Sequence, residues 1–145
     1  MLGSANNHID YHVNINHRIG HSISNFLCRS MLRDSARGIF NGKILVEEKA
    51  SGTSAKLNNN NLLLSDLSSM QSNPQLEINC EDVKCAHGST SGNLDQDALF
   101  YLRSRGINIS EAHKILIKGF TSKLLEPFDS DALLLDDKVK EWIES

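Results

Sequence analysis

No stretch of this sequence approaches the roughly 18 consecutive apolar residues that a membrane-spanning helix needs. The first twenty positions also lack the apolar core of a secretory signal, so a cytoplasmic or equivalent reducing location is expected, with no membrane partner. Basic residues are not in excess: 15 Lys and Arg stand against 18 Asp and Glu, giving a formal charge of −3. No basic cluster is longer than two residues, which removes the electrostatic footprint of a nucleic-acid binder. Cysteine is scarce and odd in number, and Cys28, Cys80 and Cys85 read as free thiols rather than a disulfide framework. The sequence has no G-x4-G-K-[ST], no G-x-S-x-G and no G-x-G-x-x-G, so no nucleotide-binding or hydrolase signature of its own.

What is present is ordinary for a soluble globular domain: 145 residues, 39% hydrophobic and 23% charged. The organisation changes part way along. Residues 1–94 carry eight acids and eight bases, whereas residues 95–145 carry ten acids against seven bases. The hydrophobic period changes in the same place.

In the first part, Ile9, Tyr11, Val13 and Ile15 alternate with His8, Asp10, His12 and Asn14, the period-two pattern of a half-buried strand. Short strand-like runs follow at 22–28, 38–46, 61–64 and 75–80, separated by Gly, Ser and Asn-rich turns. No helical pattern lies between them to supply the crossovers of a doubly wound sheet, leaving a sandwich, a barrel or a β-solenoid. Periodicity does not choose among these, and no clean internal repeat is visible.

From Leu94 the period becomes 3.6. Leu94, Ala98, Leu99 and Leu102 form one stripe, with Asp95 as N-cap and Gly106 as the stop after Arg103 and Arg105. Ser110 is placed to cap a second helix with Ala112, Ile115, Leu116 and Phe120 on its apolar face. Pro127 separates it from a third helix opened by Asp131, with Leu134, Leu135, Val139, Trp142 and Ile143 apolar. Three short helices cannot bury all these faces among themselves, so a partner or the β-part covers the remainder.

The residues able to carry chemistry are few. If 82–87 is a strand, Val83, Cys85 and His87 share one side, placing a thiol and an imidazole next to each other. Such a pair can hold a soft transition metal or an iron-sulfur intermediate. Two ligands are not a site, and C-x4-C-x-H lacks the paired spacing of structural zinc; the plain alternative is a core cysteine beside a histidine in a turn. Glu77 sits on the polar face opposite Leu76 and Ile78, where a carboxylate can accept a proton or steer a metal, while Cys80 belongs with the core. His8, His12, His17 and His21 suggest a metal cluster, but His8 and His12 are roughly 13 Å apart along a strand at ~3.3 Å per residue, so they read as exposed polar face.

The segments Arg37–Ser65, reading RGIFNGKILVEEKASGTSAKLNNNNLLLS, then PQLEI, DVKCAHG, LDQDALFYLRSRGI and SEAHKILIKGF together resemble the SufB/SufD family of iron-sulfur cluster assembly proteins, SufD-like in particular. The resemblance runs over residues 8–122 and corresponds to the C-terminal portion of longer family members. It departs at Lys56–Asn61, where SufD proteins carry a Gln-Thr-Asn-Arg-Asn-like loop.

The resemblance implies a mainly β then α fold: C-terminal coils of a parallel β-helix over 1–93, then a helical domain over 94–145 that docks an ATPase. It implies a non-catalytic scaffold subunit that pairs with a SufB-like protein and binds the ATPase SufC, with a transient iron-sulfur cluster at the partner interface. A homodimer and a flavin are left open, and the stroma replaces the cytoplasm in a plastid-bearing organism. His87 matches the family's functional histidine, which acts opposite a cysteine supplied by SufB; Cys85 supports it. The docking region contains Ala98, Leu99, Leu102, Ile115, Leu116 and Phe120. Two other readings compete: a β-helical carbohydrate-active protein, poorly served by two Tyr and one Trp for stacking, and a small metal-binding module.

Overall fold

The alternating segments become long parallel strands. In the computed structural model, the described residues are 1–125 and 132–144, with side chains described except at positions 123, 125 and 132–136. Seven strands come first: β1 (Leu2–Gly3), β2 (His8–His17), β3 (Ile23–Leu32), β4 (Arg37–Val46), β5 (Ser54–Leu63), β6 (Ser69–Ile78) and β7 (Lys84–Gly92). Three helices follow: α1 (Gln96–Ser104), α2 (Ile109–Leu125) and α3 (Ala132–Glu144). The chain divides into two units, Met1–Gly92 and Asn93–Ser145.

Every strand pairing in the first unit is parallel, and the strands sort into two sheets by turns, β1-β3-β5-β7 and β2-β4-β6. This is a parallel β-solenoid of roughly three coils with a fourth begun by β7, as the resemblance implies. The register pairs Tyr11 with Phe40, Phe26 with Leu57, and Leu57 with His87. Like-facing residues therefore stack from coil to coil.

The corners explain why no repeat is visible in the sequence. Ala5, Asp34, His21, Gly52 and Asp82 all have positive φ, between 54° and 72°. His21 N–H donates to Ser51 O and Gly52 N–H to Asp82 O, linking equivalent corners of successive coils. Five of the six sheet changes use a left-handed corner residue, the β5–β6 corner being the exception, and four of these five positions are not glycine. The repeat is written in backbone conformation rather than residue type.

The core lies between the two sheets, where Phe40, Ile44, Val46, Ala50 and Leu57 are wholly buried. Phe40 stacks at 6.2 Å on both Tyr11 and Phe26, and such pairs contribute about 0.5–1.5 kcal/mol each beyond area burial. Gly42, on the same inner side, leaves the space that the Phe40 ring fills. A Cβ there would lie 2.7 Å from Phe40 Cε1 and 2.8 Å from Leu57 Cδ1.

Several strands are longer than the sequence pattern implies, β5 most of all. The asparagine run, read as a loop, is the middle of β5, and its alternation is real: Leu57, Asn59 and Asn61 are buried while Asn58 and Asn60 lie on the other side. Stacked coils let amide side chains bond to the next strand, which overrides the low strand propensity of Asn. His17 departs from the exposed reading too, being 6% exposed with Nε2 2.8 Å from Ser24 Oγ.

In the second unit, α1 is capped by Asp95, whose carboxylate accepts from the N–H groups of Asp97 and Ala98, and it stops at Gly106 with φ of 86°. The cap of α2 is Asn108, which accepts from Glu111 N–H at 2.9 Å; Ser110 is already inside the helix. The face of α2 is likewise rotated from expectation, with Ala112, Ile117 and Thr121 buried and Ile115 45% exposed. The expected positions Pro127 and Asp131 lie outside the described residues, as do the side chains of Leu134 and Leu135. No helix among the described residues is long and apolar enough to cross a membrane, which says nothing of a β-barrel.

Candidate functional site

Strand β7 starts at Lys84, just after the left-handed corner residue Asp82, and among the described strands it pairs only with β5. Its other ladder of N–H and C=O groups is unpaired, the arrangement that accepts a further strand. The strand is rich in small polar residues, reading KCAHGSTSG, so hydrogen bonds rather than apolar packing hold it down.

Cys85 and His87 lie on the side of β7 that faces the solenoid interior, as the two-residue spacing predicts. Cys85 is in register with buried Ala55, and its half-buried side chain packs on the core beside Val83 and Cys80. His87 is in register with buried Leu57 but is itself exposed, because no further coil covers it among the described residues. An imidazole and a thiol are thus adjacent, one presented and one anchored.

Glu77 is not part of this group. It is near the end of β6, on the outer side of the other sheet, where it forms an ion pair with Lys43 and accepts a hydrogen bond from Asn79 Nδ2. The hydrogen bond from Lys43 is the largest cause holding its carboxyl below the usual range; that from Asn79 and the Lys43 charge add to it. A carboxylate so stabilised is a weak proton acceptor.

The other histidines are dispersed. His12 contacts Asp10 at 2.9 Å on the outer face of β2, His17 is buried against Ser24, and His21 forms a corner over Gly52. Among the described residues no three His, Cys, Asp or Glu side chains are grouped to hold a metal ion. Cys85 and His87 supply two soft or borderline donors, so an iron-sulfur species held there needs further ligands from elsewhere.

The residues that sequence reading missed are those beneath the site. Asn59 is fully buried, and its Oδ1 accepts from Asn61 Nδ2 at 2.6 Å and from Ser72 Oγ at 2.9 Å. Ser89 Oγ donates to Ser72 Oγ at 2.8 Å, crossing from one sheet to the other. Asn60 Nδ2 donates to Thr90 Oγ1 at 2.8 Å, and Asn61 Nδ2 reaches Thr90 O and Ser91 Oγ at 3.1 Å. The available signal was the run of four asparagines itself, whose alternate members face opposite ways in a strand.

In the helical unit, Leu99 and Ala112 are buried, and Ala98, Leu102, Leu116 and Phe120 are half-buried; of the six residues assigned to docking only Ile115 is exposed. It lines a groove of about 220 Å³ with Lys114, Lys118, Lys140 and Ile143. Phe100 at 74% and Tyr101 at 56% exposure are the larger apolar groups on the surface of this unit.

The first unit is a parallel β-solenoid whose last strand, β7, carries Cys85 and His87, and a small helical unit follows it. The family described as SUF system FeS cluster assembly, SufBD core domain, matches residues 1–120. The iron-sulfur cluster assembly protein SufD of Escherichia coli is 40% identical over 119 residues, covering 82% of this chain and 28% of that protein. A SufBD family protein of Synechocystis is 39% identical over 106 residues, covering 73% and 23%. The chloroplastic protein ABCI7 of Arabidopsis thaliana is 36% identical over 94 residues, covering 65% and 20%. The chain belongs to the SufBD family and is SufD-like. It spans between 20% and 28% of the length of these relatives.

Proposed function

We propose that this chain is a SufD-like, non-catalytic scaffold subunit of iron-sulfur cluster assembly. It pairs with a SufB-like protein through the solenoid end and binds a SufC-like ATPase through the helical unit. The nascent cluster is the cargo. His87 acts at the partner interface as ligand or proton acceptor, and Cys85 supports it. The cytoplasm, or the stroma in a plastid-bearing organism, is the compartment, in keeping with bacterial and chloroplastic relatives. With the family shown, neither the carbohydrate-active nor the small metal-module alternative is retained.

The observation that supports this reading is the adjacency of Cys85 and His87 on a strand that, among the described residues, has one unpaired ladder and no third donor grouped with them. A partner strand laid on that ladder brings its own side chains to both residues. Ile115, Phe100 and Tyr101 supply the exposed apolar surface that an ATPase contact needs.

The test is His87→Ala in the chain assembled with its SufB-type and SufC-type proteins. His87 is exposed, so the substitution changes stability by less than about 0.5 kcal/mol. Assembly and ATPase binding are retained while cluster formation falls by at least about tenfold, the scale of losing a group at a metal centre. Wild-type cluster formation in His87→Ala removes the role given to His87.

A further inference from the structure

We infer that Ser89, Ser72 and Asn59 form a hydrogen-bonded brace that positions His87, so that these three are positioning residues for whatever His87 does at the interface. The inference rests on the reading of His87 given above. It concerns how one exposed side chain on a weakly paired strand is kept in a single place.

Strand β7 has little apolar anchorage. On its inner side the sequence of side chains is Cys85, His87, Ser89 and Ser91, of which only Cys85 packs on the hydrophobic core. His87 is therefore flanked two residues upstream by an apolar anchor. Two residues downstream it is flanked by Ser89, whose hydroxyl donates across the solenoid to Ser72 on β6 at 2.8 Å. Ser72 in turn donates to Asn59 Oδ1 at 2.9 Å, and Asn59 has no solvent exposure. Asn61 Nδ2 donates to the same oxygen at 2.6 Å.

The direction of these bonds is consistent from end to end. Each serine hydroxyl donates once and points toward the buried amide oxygen, so the bonds run in series from exposed Ser89 to buried Asn59 and each polarises the next. The chain links β7 to β6 and β6 to β5, tying the two sheets together at the coil that carries the site. Because same-side residues alternate, fixing Cys85 and Ser89 fixes the direction of the Cα–Cβ bond of His87 between them. Gly88 adds to this by letting β7 lie close to Asn58, whose Oδ1 would sit 3.1 Å from a Cβ there.

Ser89 lies at the exposed end of the brace, so Ser89→Ala removes its donor without opening a cavity, and Ser89→Thr restores the hydroxyl on a residue suited to strands. Both variants, with His87→Ala as reference, are assembled with the SufB-type and SufC-type proteins. Cluster formation is followed after addition of ferrous iron and sulfide. The His87 ring resonances of each isolated chain are followed by NMR through a pH titration, together with thermal melting.

Ser89→Ala is expected to lower cluster formation by about tenfold, as outer partners of metal-site residues do. The His87 ring signals broaden or shift, the melting temperature stays within a few degrees, and Ser89→Thr recovers both cluster formation and the ring signals. Ser72→Ala, which breaks the brace from the other sheet, gives the same pattern. A defective His87→Ala beside a normal Ser89→Ala overturns the brace and leaves the reading of His87 standing. A normal His87→Ala overturns that reading and the function of the brace with it. Loss in Ser89→Ala that Ser89→Thr does not recover, or loss with unchanged His87 resonances, assigns Ser89 some other role and overturns the inference.

Discussion

Replacing Gly42 by Ala tests the stacked core on which the site rests. The residue sits on the inner side of β4 with an ordinary negative φ, so the backbone tolerates any side chain, and the objection is steric alone. The added methyl lies 2.7 Å from Phe40 Cε1, 2.8 Å from Phe40 Cζ and 2.8 Å from Leu57 Cδ1. Phe40 and Leu57 have no solvent exposure, so neither has anywhere to go. Overpacking of this kind costs roughly 1–3 kcal/mol, against which glycine replacement in a strand returns about 0.5–1 kcal/mol of backbone entropy. Three contacts under 3.0 Å on buried side chains put the steric cost at about 2–3 kcal/mol, so it outweighs the entropy return and leaves a net loss of about 1–2.5 kcal/mol. For a unit of this size that lowers the melting temperature by about 4–20 °C. Circular dichroism melts of wild type and Gly42→Ala measure it directly. Adding Phe40→Leu makes room, and the double variant loses less than the sum of the two singles because the residues share one space. Leu57 is also the register partner of His87, so the same overpacking reaches the site through β5. A Gly42→Ala protein that melts at or above the wild-type temperature would refute the closed packing between the sheets.

Other outcomes follow from single contacts. Glu77 is held below its ordinary value of 4.5 by Lys43 and Asn79, so its contribution to stability is present above that value and fades as pH falls through the lowered one. Glu77→Gln flattens the acid limb of a pH–stability curve below about 4.5 without altering cluster formation at neutral pH. Asn108→Ala removes the α2 cap and destabilises the helical unit by about 1 kcal/mol, whereas Ser110→Ala is close to neutral, as urea melts will resolve. Phe100→Asp on the exposed face of α1 weakens ATPase association in a pull-down while leaving the solenoid melt unchanged.

Local patterns were legible in the sequence, and relations between coils were not. The alternation of Ile9, Tyr11, Val13 and Ile15 marks β2, and Asp95 marks the start of α1, because each signal lies within a few residues of what it specifies. The middle of β5 is an Asn run and the second half of β7, 88–92, is Gly, Ser and Thr, which look like turns until strands of neighbouring coils supply hydrogen-bond partners. The positive-φ corners carry Ala, His, Asp and Gly, so their recurrence cannot be read from residue type. The α2 face was misjudged because Ile115 and Ile117 both fit an apolar pattern, and of the two it is Ile117 that is buried. At the site, the adjacency of Cys85 and His87 follows from period two alone. The separation of Glu77 from them follows from its being on the other sheet and its outer side, which depends on where the solenoid turns.

An assembly subunit whose β7 edge is completed by a partner must form a stable complex with that partner. Co-expression with the SufB-type and SufC-type proteins of the same source, followed by light scattering of the purified material, tests it most directly. One complex of defined mass and stoichiometry containing all three is expected. A folded chain that remains apart from both proteins would contradict it.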